Sequence, residues 1–197
     1  KQGKLKTQIT SGNWEVTNFY GVNEAKKTVY YQSVEDGSIN RTVYSIDLKG
    51  KNKKRLTNTL GTNSASFSKN FNYFINTFSD ANTPTIYTLH NNKGEQLKEI
   101  LNNNKLQDKL KNYNLSKKEF FILETENGAF NAWILKPKNF DSSKKYPLFM
   151  TQYSGPGSQS VANRWNGYND YWYQHLAQKG YIVVCVDGRG TGFNGAD

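Results

Sequence analysis

The sequence predicts a mixed fold, in which C-terminal blades of a β-propeller are followed by the first part of an α/β domain. Residues 14 to about 101 hold two sets of four strand patterns, and Tyr30 aligns with Phe74 at an offset of 44 residues. A four-stranded unit with this period is typical of propeller blades. Residues 146–187 then read as strand, helix and strand, which is typical of a parallel sheet.

The repeated region predicts short strands separated by turns that are rich in Asn, Asp and Gly. The first set is Trp14–Phe19, Thr28–Ser33, Thr42–Leu48 and Lys54–Thr57, and the second is Ser64–Ser68, Tyr73–Phe78, Thr85–Leu89 and Leu97–Leu101. A closed propeller needs roughly 4–8 blades. We therefore expect the last two blades of a larger propeller, and the alternative is a separate antiparallel sheet or sandwich.

The repeats give way to a different pattern at Asn102–Tyr113, where Leu106 and Leu110 predict one short amphipathic helix. Residues 114–118 read as a linker. A hairpin is expected next, with strands Glu119–Glu124 and Ala132–Lys136. We place the domain boundary here, with residues 1–113 as propeller and helix and residues 114–197 as the α/β domain.

The α/β region is organised around the strand Tyr146–Tyr153. Its apolar residues Leu148, Phe149 and Met150 predict a strand buried on both faces. A helix over Gly167–Lys179, ended by Gly180 at C′, and a second buried strand Tyr181–Asp187 should follow. Such a unit forms a right-handed crossover between two parallel strands.

Charge and composition exclude some classes of protein. The net charge is +10, but the lysines lie in scattered pairs, and the densest run, Lys49–Arg55, reads as a hairpin tip. We therefore expect no nucleic-acid partner.

No apolar run is long enough to insert into a membrane. Cys185 is the single cysteine and forms no internal disulfide. The chain opens on Lys1, so we expect a segment of a longer protein, and its compartment cannot be read from these residues.

The strongest candidate site residue is Tyr153. It ends a predicted parallel strand and opens the turn Ser154–Gly157, and ligands bind at the carboxyl ends of strands in open α/β sheets. A tyrosine hydroxyl at this place can donate a hydrogen bond to a developing oxyanion. The alternative is an ordinary aromatic residue at the end of a strand.

A complete catalytic triad is not expected within the chain. The sequence contains no Gly-x-Ser-x-Gly, the motif that carries the nucleophile in hydrolases of this architecture. His90 and His175 are interpreted as structural residues. Asp187 follows a strand and could resemble a triad acid, but we expect it to cap the turn Gly188–Gly190.

Two other kinds of site have weaker support in the sequence. Gly190–Gly195 matches the dinucleotide-binding pattern G-x-G-x-x-G after a buried strand, but Asp187-Gly-Arg separates strand and motif, and the acidic residue expected about 20 positions on would lie beyond Asp197. No cluster of His, Cys and Asp predicts a metal site. We expect no cofactor.

Several motifs occur together in a characteristic order. They are Thr10-Ser-Gly-Asn-Trp-Glu-Val-Thr17, Tyr30-Tyr-Gln-Ser33, Ala132-Trp-Ile-Leu-Lys-Pro137, Lys144-Lys-Tyr-Pro-Leu148, Gln152-Tyr-Ser-Gly-Pro-Gly-Ser-Gln159 and Gly180-Tyr-Ile-Val-Val-Cys-Val-Asp-Gly-Arg-Gly-Thr-Gly192. With these motifs, which span essentially the whole chain, the sequence resembles the prolyl oligopeptidase family of serine peptidases, and within it the dipeptidyl peptidase IV branch.

The resemblance implies a propeller of about eight blades over an α/β-hydrolase domain. It implies a Ser-Asp-His exopeptidase that releases dipeptides from peptide N-termini, with Pro or Ala in the second position. The residue matching Tyr153 donates its hydroxyl to the oxyanion hole in that family. The triad would lie beyond Asp197 and the acidic pair that binds the substrate amino group before Lys1. We therefore expect these residues alone to be inactive.

The resemblance further suggests export to a periplasm or cell surface and a homodimeric parent protein. An alternative within the same family is a member that has lost its nucleophile and serves in binding.

Overall fold

The computed structural model describes residues 3–153 and 155–194. Contacts divide the chain into two compact units. The first comprises the described parts of residues 1–78, 86–102 and 193–197, and the second comprises residues 79–85 and the described parts of 103–192. The fold is mostly β-sheet with few helices.

The repeated region forms two four-stranded sheets with the strands in chain order, β1-β2-β3-β4 and β5-β6-β7-β8. Their bounds are β1 Val16–Asn23, β2 Thr28–Ser33, β3 Thr42–Asp47, β4 Lys54–Arg55, β5 Thr62–Phe67, β6 Tyr73–Asp80, β7 Thr83–Asn91 and β8 Gln96–Leu101. All eight predicted strands are present. The ends of β1 and β7 differ most from the prediction, because pairing with a neighbour extends β1 to Asn23 and β7 to Thr83 and Asn91, past the local apolar pattern.

The core of the first unit explains why the strand pattern is so aromatic. Tyr30, Val43, Leu56 and Phe74 are each at most 2% exposed and pack together in one cluster. The two sheets are also joined through the backbone, since the N–H of Asn63 donates to the carbonyl of Arg41 at 2.9 Å. Burial of these large side chains supplies the main stabilisation of the unit.

The second unit contains a mixed sheet with the strand order β11-β12-β10-β9. Its elements are α1 Asn104–Lys111, β9 Lys118–Thr125, β10 Gly128–Leu135, β11 Leu148–Thr151, a 3₁₀ turn Gly167–Asp170, α2 Tyr171–Gln178 and β12 Ile182–Val186. β11 and β12 pair in parallel with Leu148 opposite Ile182, as predicted. β10 pairs antiparallel with both β9 and β12.

Two predictions for this unit are wrong in detail. β11 is not buried on both faces, since Leu148 is 63% and Met150 53% exposed. Side chains alternate between the two faces of a strand, so Leu148 and Met150 share one face, and within the described residues that face is not covered, whereas the face of Phe149 and Thr151 is half-buried. The predicted helix begins as a 3₁₀ turn and becomes α-helical only at Tyr171. Gly180 follows the C-cap residue Lys179, as expected.

Within the described ranges, neither helix has the length and apolar character that crossing a membrane requires.

Candidate active-site loop

The polypeptide leaves β11 into a loop that we call the Tyr153 loop, defined as residues 152, 153 and 155–161. Ser154 of the predicted turn lies outside the described residues. The strand is tied to the helix behind it, because Thr151 Oγ1 lies 3.2 Å from the hydroxyl of Tyr173 in α2. The sheet thus fixes where this loop begins.

The predicted strand Tyr146–Tyr153 is shorter in the structure, where β11 ends at Thr151, so Tyr153 lies two residues beyond the strand, and it is 68% exposed. Its hydroxyl makes no hydrogen bond with the part of the chain that the structure describes. Its ring packs over Gly155, where a Cβ atom would come within 2.8 Å of the ring. Glycine at this position therefore allows the close approach that holds the ring.

Beside Tyr153 lies a cavity of about 270 Å³. It is lined largely by polar side chains from several elements, among them Gln152, Tyr153, Gln159, Arg164, Asn166 and Asp170. Polar side chains that converge on a cleft can fix the orientation of a bound ligand. Sequence reasoning did not identify this cavity, because its lining residues are far apart along the chain and carry no shared motif.

A buried ion pair contributes to the cavity wall. Lys118 Nζ lies 2.6 Å from Asp170 Oδ2, and the two side chains are 7% and 12% exposed. The same ammonium sits 4.5 Å from the centre of the Trp133 ring. Asn166 Nδ2 donates to the other Asp170 oxygen at 3.1 Å. With both carboxylate oxygens engaged, the pair stabilises the wall of the cavity.

Asp187 does not cap the Gly188–Gly190 turn, which corrects the prediction. Its carboxylate accepts hydrogen bonds from the backbone N–H groups of Ser160 at 2.8 Å and Val161 at 3.0 Å. Burial raises the pKa of the Asp187 carboxyl, and these two N–H groups oppose the rise. The sequence could not reveal this role, because the partners lie 27 and 26 residues away.

The glycine-rich stretch after Asp187 also contacts the Tyr153 loop. The N–H of Gly157 donates to the Gly190 carbonyl at 3.0 Å, and the N–H of Gly192 donates to the Ser158 carbonyl at 3.2 Å. The Gly192 N–H is thereby used within the protein, which disfavours a phosphate-binding role. Gly195, the last residue of the dinucleotide-like pattern, lies outside the described residues.

The two histidines have surroundings that suit structural roles. His90 is buried, stacks on Phe74 with ring centres 5.0 Å apart, and places Nε2 2.8 Å from the Thr88 hydroxyl. His175 is exposed on α2 and stacks on Trp172 at 6.1 Å. Within residues 3–153 and 155–194, no group of three His, Cys, Asp or Glu side chains is arranged to hold a metal ion.

Comparison with known proteins gives one consistent result. A family described as the dipeptidyl peptidase IV N-terminal region matches residues 1–85. A probable dipeptidyl peptidase 4 of Trichophyton verrucosum is 35% identical over 98% of the chain and 26% of its own length. A probable dipeptidyl-aminopeptidase B of Podospora anserina is 38% identical over 95% of the chain and 20% of its own length.

A solved structure agrees with these relatives. The crystal structure of Porphyromonas gingivalis dipeptidyl peptidase 4 is 48% identical and covers 99% of the chain, with a TM-score of 0.91. The chain corresponds to 27% of that protein. It thus spans about a quarter of the length of the first curated relatives and of this structure.

Proposed function

The chain belongs to the dipeptidyl peptidase IV family over the length that it shares with these proteins, and we propose that the protein containing it is a serine-type dipeptidyl peptidase. It releases dipeptides from the N-termini of peptides, with Pro or Ala as the second residue. The reaction passes through an acyl-enzyme, in which a serine nucleophile has displaced the remainder of the peptide.

The two parts of the chain have different roles in this proposal. Residues 1–113 form the last two blades of a propeller with a short helix, and residues 114–197 form the first part of an α/β-hydrolase domain. The sequential four-stranded sheets support the first assignment. The parallel pairing of β11 with β12, beside antiparallel β10 and β9, supports the second.

Tyr153 is the residue of the described chain that acts in the reaction. When serine attacks the scissile carbonyl, negative charge develops on its oxygen, and the Tyr153 hydroxyl donates a hydrogen bond to that oxygen. A backbone N–H beside the nucleophile gives the second hydrogen bond. Donors fixed in advance stabilise the transition state more than flexible ones, because they need no reorganisation.

The exposed position of Tyr153 at the carboxyl end of β11 is the observation that carries this proposal. The adjoining polar cavity supports it, since the side chains of Gln152 and Arg164 are among the polar groups that line it. Nucleophile, acid and histidine come from outside the chain. The sequence has no Gly-x-Ser-x-Gly, so these residues by themselves do not hydrolyse peptides.

The test uses the full-length protein and the chromogenic substrates Gly-Pro-p-nitroanilide and Ala-Ala-p-nitroanilide. We expect release of p-nitroaniline that a serine-directed organophosphonate abolishes. The matched control is N-acetyl-Gly-Pro-p-nitroanilide, which lacks the free amino group and should not be cleaved. Absence of serine-dependent release from every substrate would overturn the proposal and favour a non-enzymatic binding protein.

A further inference from the structure

We propose that Asp187 is a positioning residue for Tyr153, because its buried carboxylate fixes the backbone of the loop that presents the tyrosine hydroxyl. This inference rests on the proposed role of Tyr153 and adds a residue that the motif alone does not identify. Asp187 touches neither substrate nor reacting atoms in this proposal. It acts through the loop.

The carboxylate is placed for this purpose by the sheet. Asp187 directly follows β12, is 2% exposed, and its own N–H donates to the Asn131 carbonyl in β10 at 3.0 Å. Each of its oxygens accepts one backbone N–H, Oδ1 from Ser160 and Oδ2 from Val161. Hydrogen bonds from two backbone N–H groups fix the orientation of a buried carboxylate. Leaving such a buried charge without partners costs free energy.

A second attachment lies next to the first. The Gly157–Gly190 and Gly192–Ser158 backbone hydrogen bonds join the loop to the segment that follows Asp187. The two backbones approach so closely that a Cβ atom on Gly192 would lie 2.8 Å from the Gly157 carbonyl oxygen. The loop is thus fastened at four points to one short segment at the end of β12.

Hydrogen bonds of Ser158 connect the fastened part of the loop to Tyr153. The Ser158 hydroxyl lies 2.5 Å from the Gly155 carbonyl and 3.4 Å from the Tyr153 carbonyl, and the Ser158 N–H also donates to Gly155. Gly155 in turn supports the Tyr153 ring. A shift of the loop at Ser160 and Val161 would therefore move the hydroxyl.

Asp187→Asn tests this without a change in volume. The amide has a single acceptor oxygen, so one of the two N–H groups would face its NH₂ group and the loop would shift. A misplacement of about 1 Å costs on the order of 100-fold in rate. In the full-length enzyme we expect kcat to fall by roughly 10- to 100-fold, with KM changed by less than about threefold.

A double-mutant cycle separates positioning from general damage. If Asp187 acts through the Tyr153 hydroxyl, Asp187→Asn in a Tyr153→Phe background should lower kcat by less than about twofold further. If Asp187→Asn lowers kcat by the same factor with and without Tyr153→Phe, the inference is overturned. The matched control is Asp141→Asn, because Asp141 also accepts a backbone and a hydroxyl hydrogen bond, both from Ser143, but lies outside the Tyr153 loop. Its kcat should be unchanged.

Hydrogen exchange of the loop amides gives a readout that does not need activity. In Asp187→Asn, the amides of residues 157–161 should exchange at least about tenfold faster than in the parent protein. Unchanged exchange would overturn the inference even if the protein proves not to be a peptidase. An inactive parent with faster exchange in the variant would instead reject the proposed function alone.

If Asp187→Asn does not fold, Gly192→Ala takes its place in the cycle and in the exchange measurement. The added methyl group would separate the two backbones and leave the carboxylate intact. The same loss of kcat, absent in the Tyr153→Phe background, is expected. Full activity with unchanged exchange in Gly192→Ala would contradict the inference.

Discussion

Lys118 and Asp170 form an ion pair at 2.6 Å in the wall of the cavity beside Tyr153, and both side chains are almost entirely buried. Lys118 also connects to the 79–85 segment, since its N–H and carbonyl bond the side-chain amide of Asn82 at 2.8 and 3.0 Å. One residue thereby fixes the start of β9, the cavity wall and a neighbouring turn.

Replacing Lys118 with methionine should destabilise the protein by about 3–5 kcal/mol, because Asp170 would remain as a buried charge without its partner. Thermal or urea unfolding measures this loss. The control is Lys111→Met, since Lys111 pairs with Asp108 on the surface, where the side chains are 75% and 69% exposed. That change should cost less than about 0.5 kcal/mol. Equal effects of the two substitutions would contradict the role assigned to Lys118.

Tyr153→Phe should lower kcat of the full-length enzyme by about 10²–10³ on dipeptide substrates, because the transition state loses one oxyanion donor. Stability should change little, since the side chain is largely exposed. Steady-state kinetics with matched unfolding curves measure both. Tyr168→Phe is the control, because Tyr168 is 79% exposed and lies outside the cavity lining. An unchanged kcat in Tyr153→Phe would remove the proposed catalytic role.

The Cys185 thiol should be nearly inert towards alkylation while the protein is folded. Burial, with a smaller effect of the nearby Asp187 charge, raises the pKa of this thiol to about 11. An ordinary cysteine has a pKa of about 8.5, so near neutral pH the thiolate fraction of Cys185 is lower by roughly 300-fold. Iodoacetamide labelling followed by mass spectrometry tests this, and denaturing guanidinium should restore the ordinary rate. Rapid labelling of the folded protein would contradict the burial of Cys185.

Gly94→Ala should destabilise the first unit more than Gly37→Ala. Both glycines have positive φ angles, +85° and +107°, where alanine costs about 1–2 kcal/mol. At Gly94 the new Cβ would also meet the Leu56 carbonyl oxygen at 2.7 Å, whereas at Gly37 the nearest atom is 3.5 Å away. We expect a further loss of about 1–3 kcal/mol at Gly94, measured by thermal unfolding. Equal losses of stability in the two variants would show that the turn at Gly94 accommodates the added methyl group without a cost in free energy.

The strands of the first unit could be predicted from the sequence because their signals are local. Short runs of aromatic and β-branched residues, such as those around Tyr30 and Phe74, and turns rich in Asn and Gly mark each strand. The 44-residue offset between these two residues indicated the repeat. What the pattern could not give was the exact strand ends, because these depend on pairing with the neighbouring strand.

Tyr153 could be placed in advance for the same reason, since an apolar run that stops at a glycine-rich turn indicates a strand end. The exposure of β11 could not be predicted from the sequence. Leu148 and Met150 have the character of a fully buried strand, and only the packing in three dimensions shows that the described residues leave their face of β11 uncovered.

The sequence by itself therefore determined the repeated strands, the parallel crossover and the position of Tyr153. The tertiary structure decided what surrounds that tyrosine. Asp187 reaches Ser160 across 27 residues and Lys118 reaches Asp170 across 52. Neither pairing has a sequence period, because a hydrogen bond or ion pair depends on where the backbone brings two groups together in space, and no local pattern records that distance.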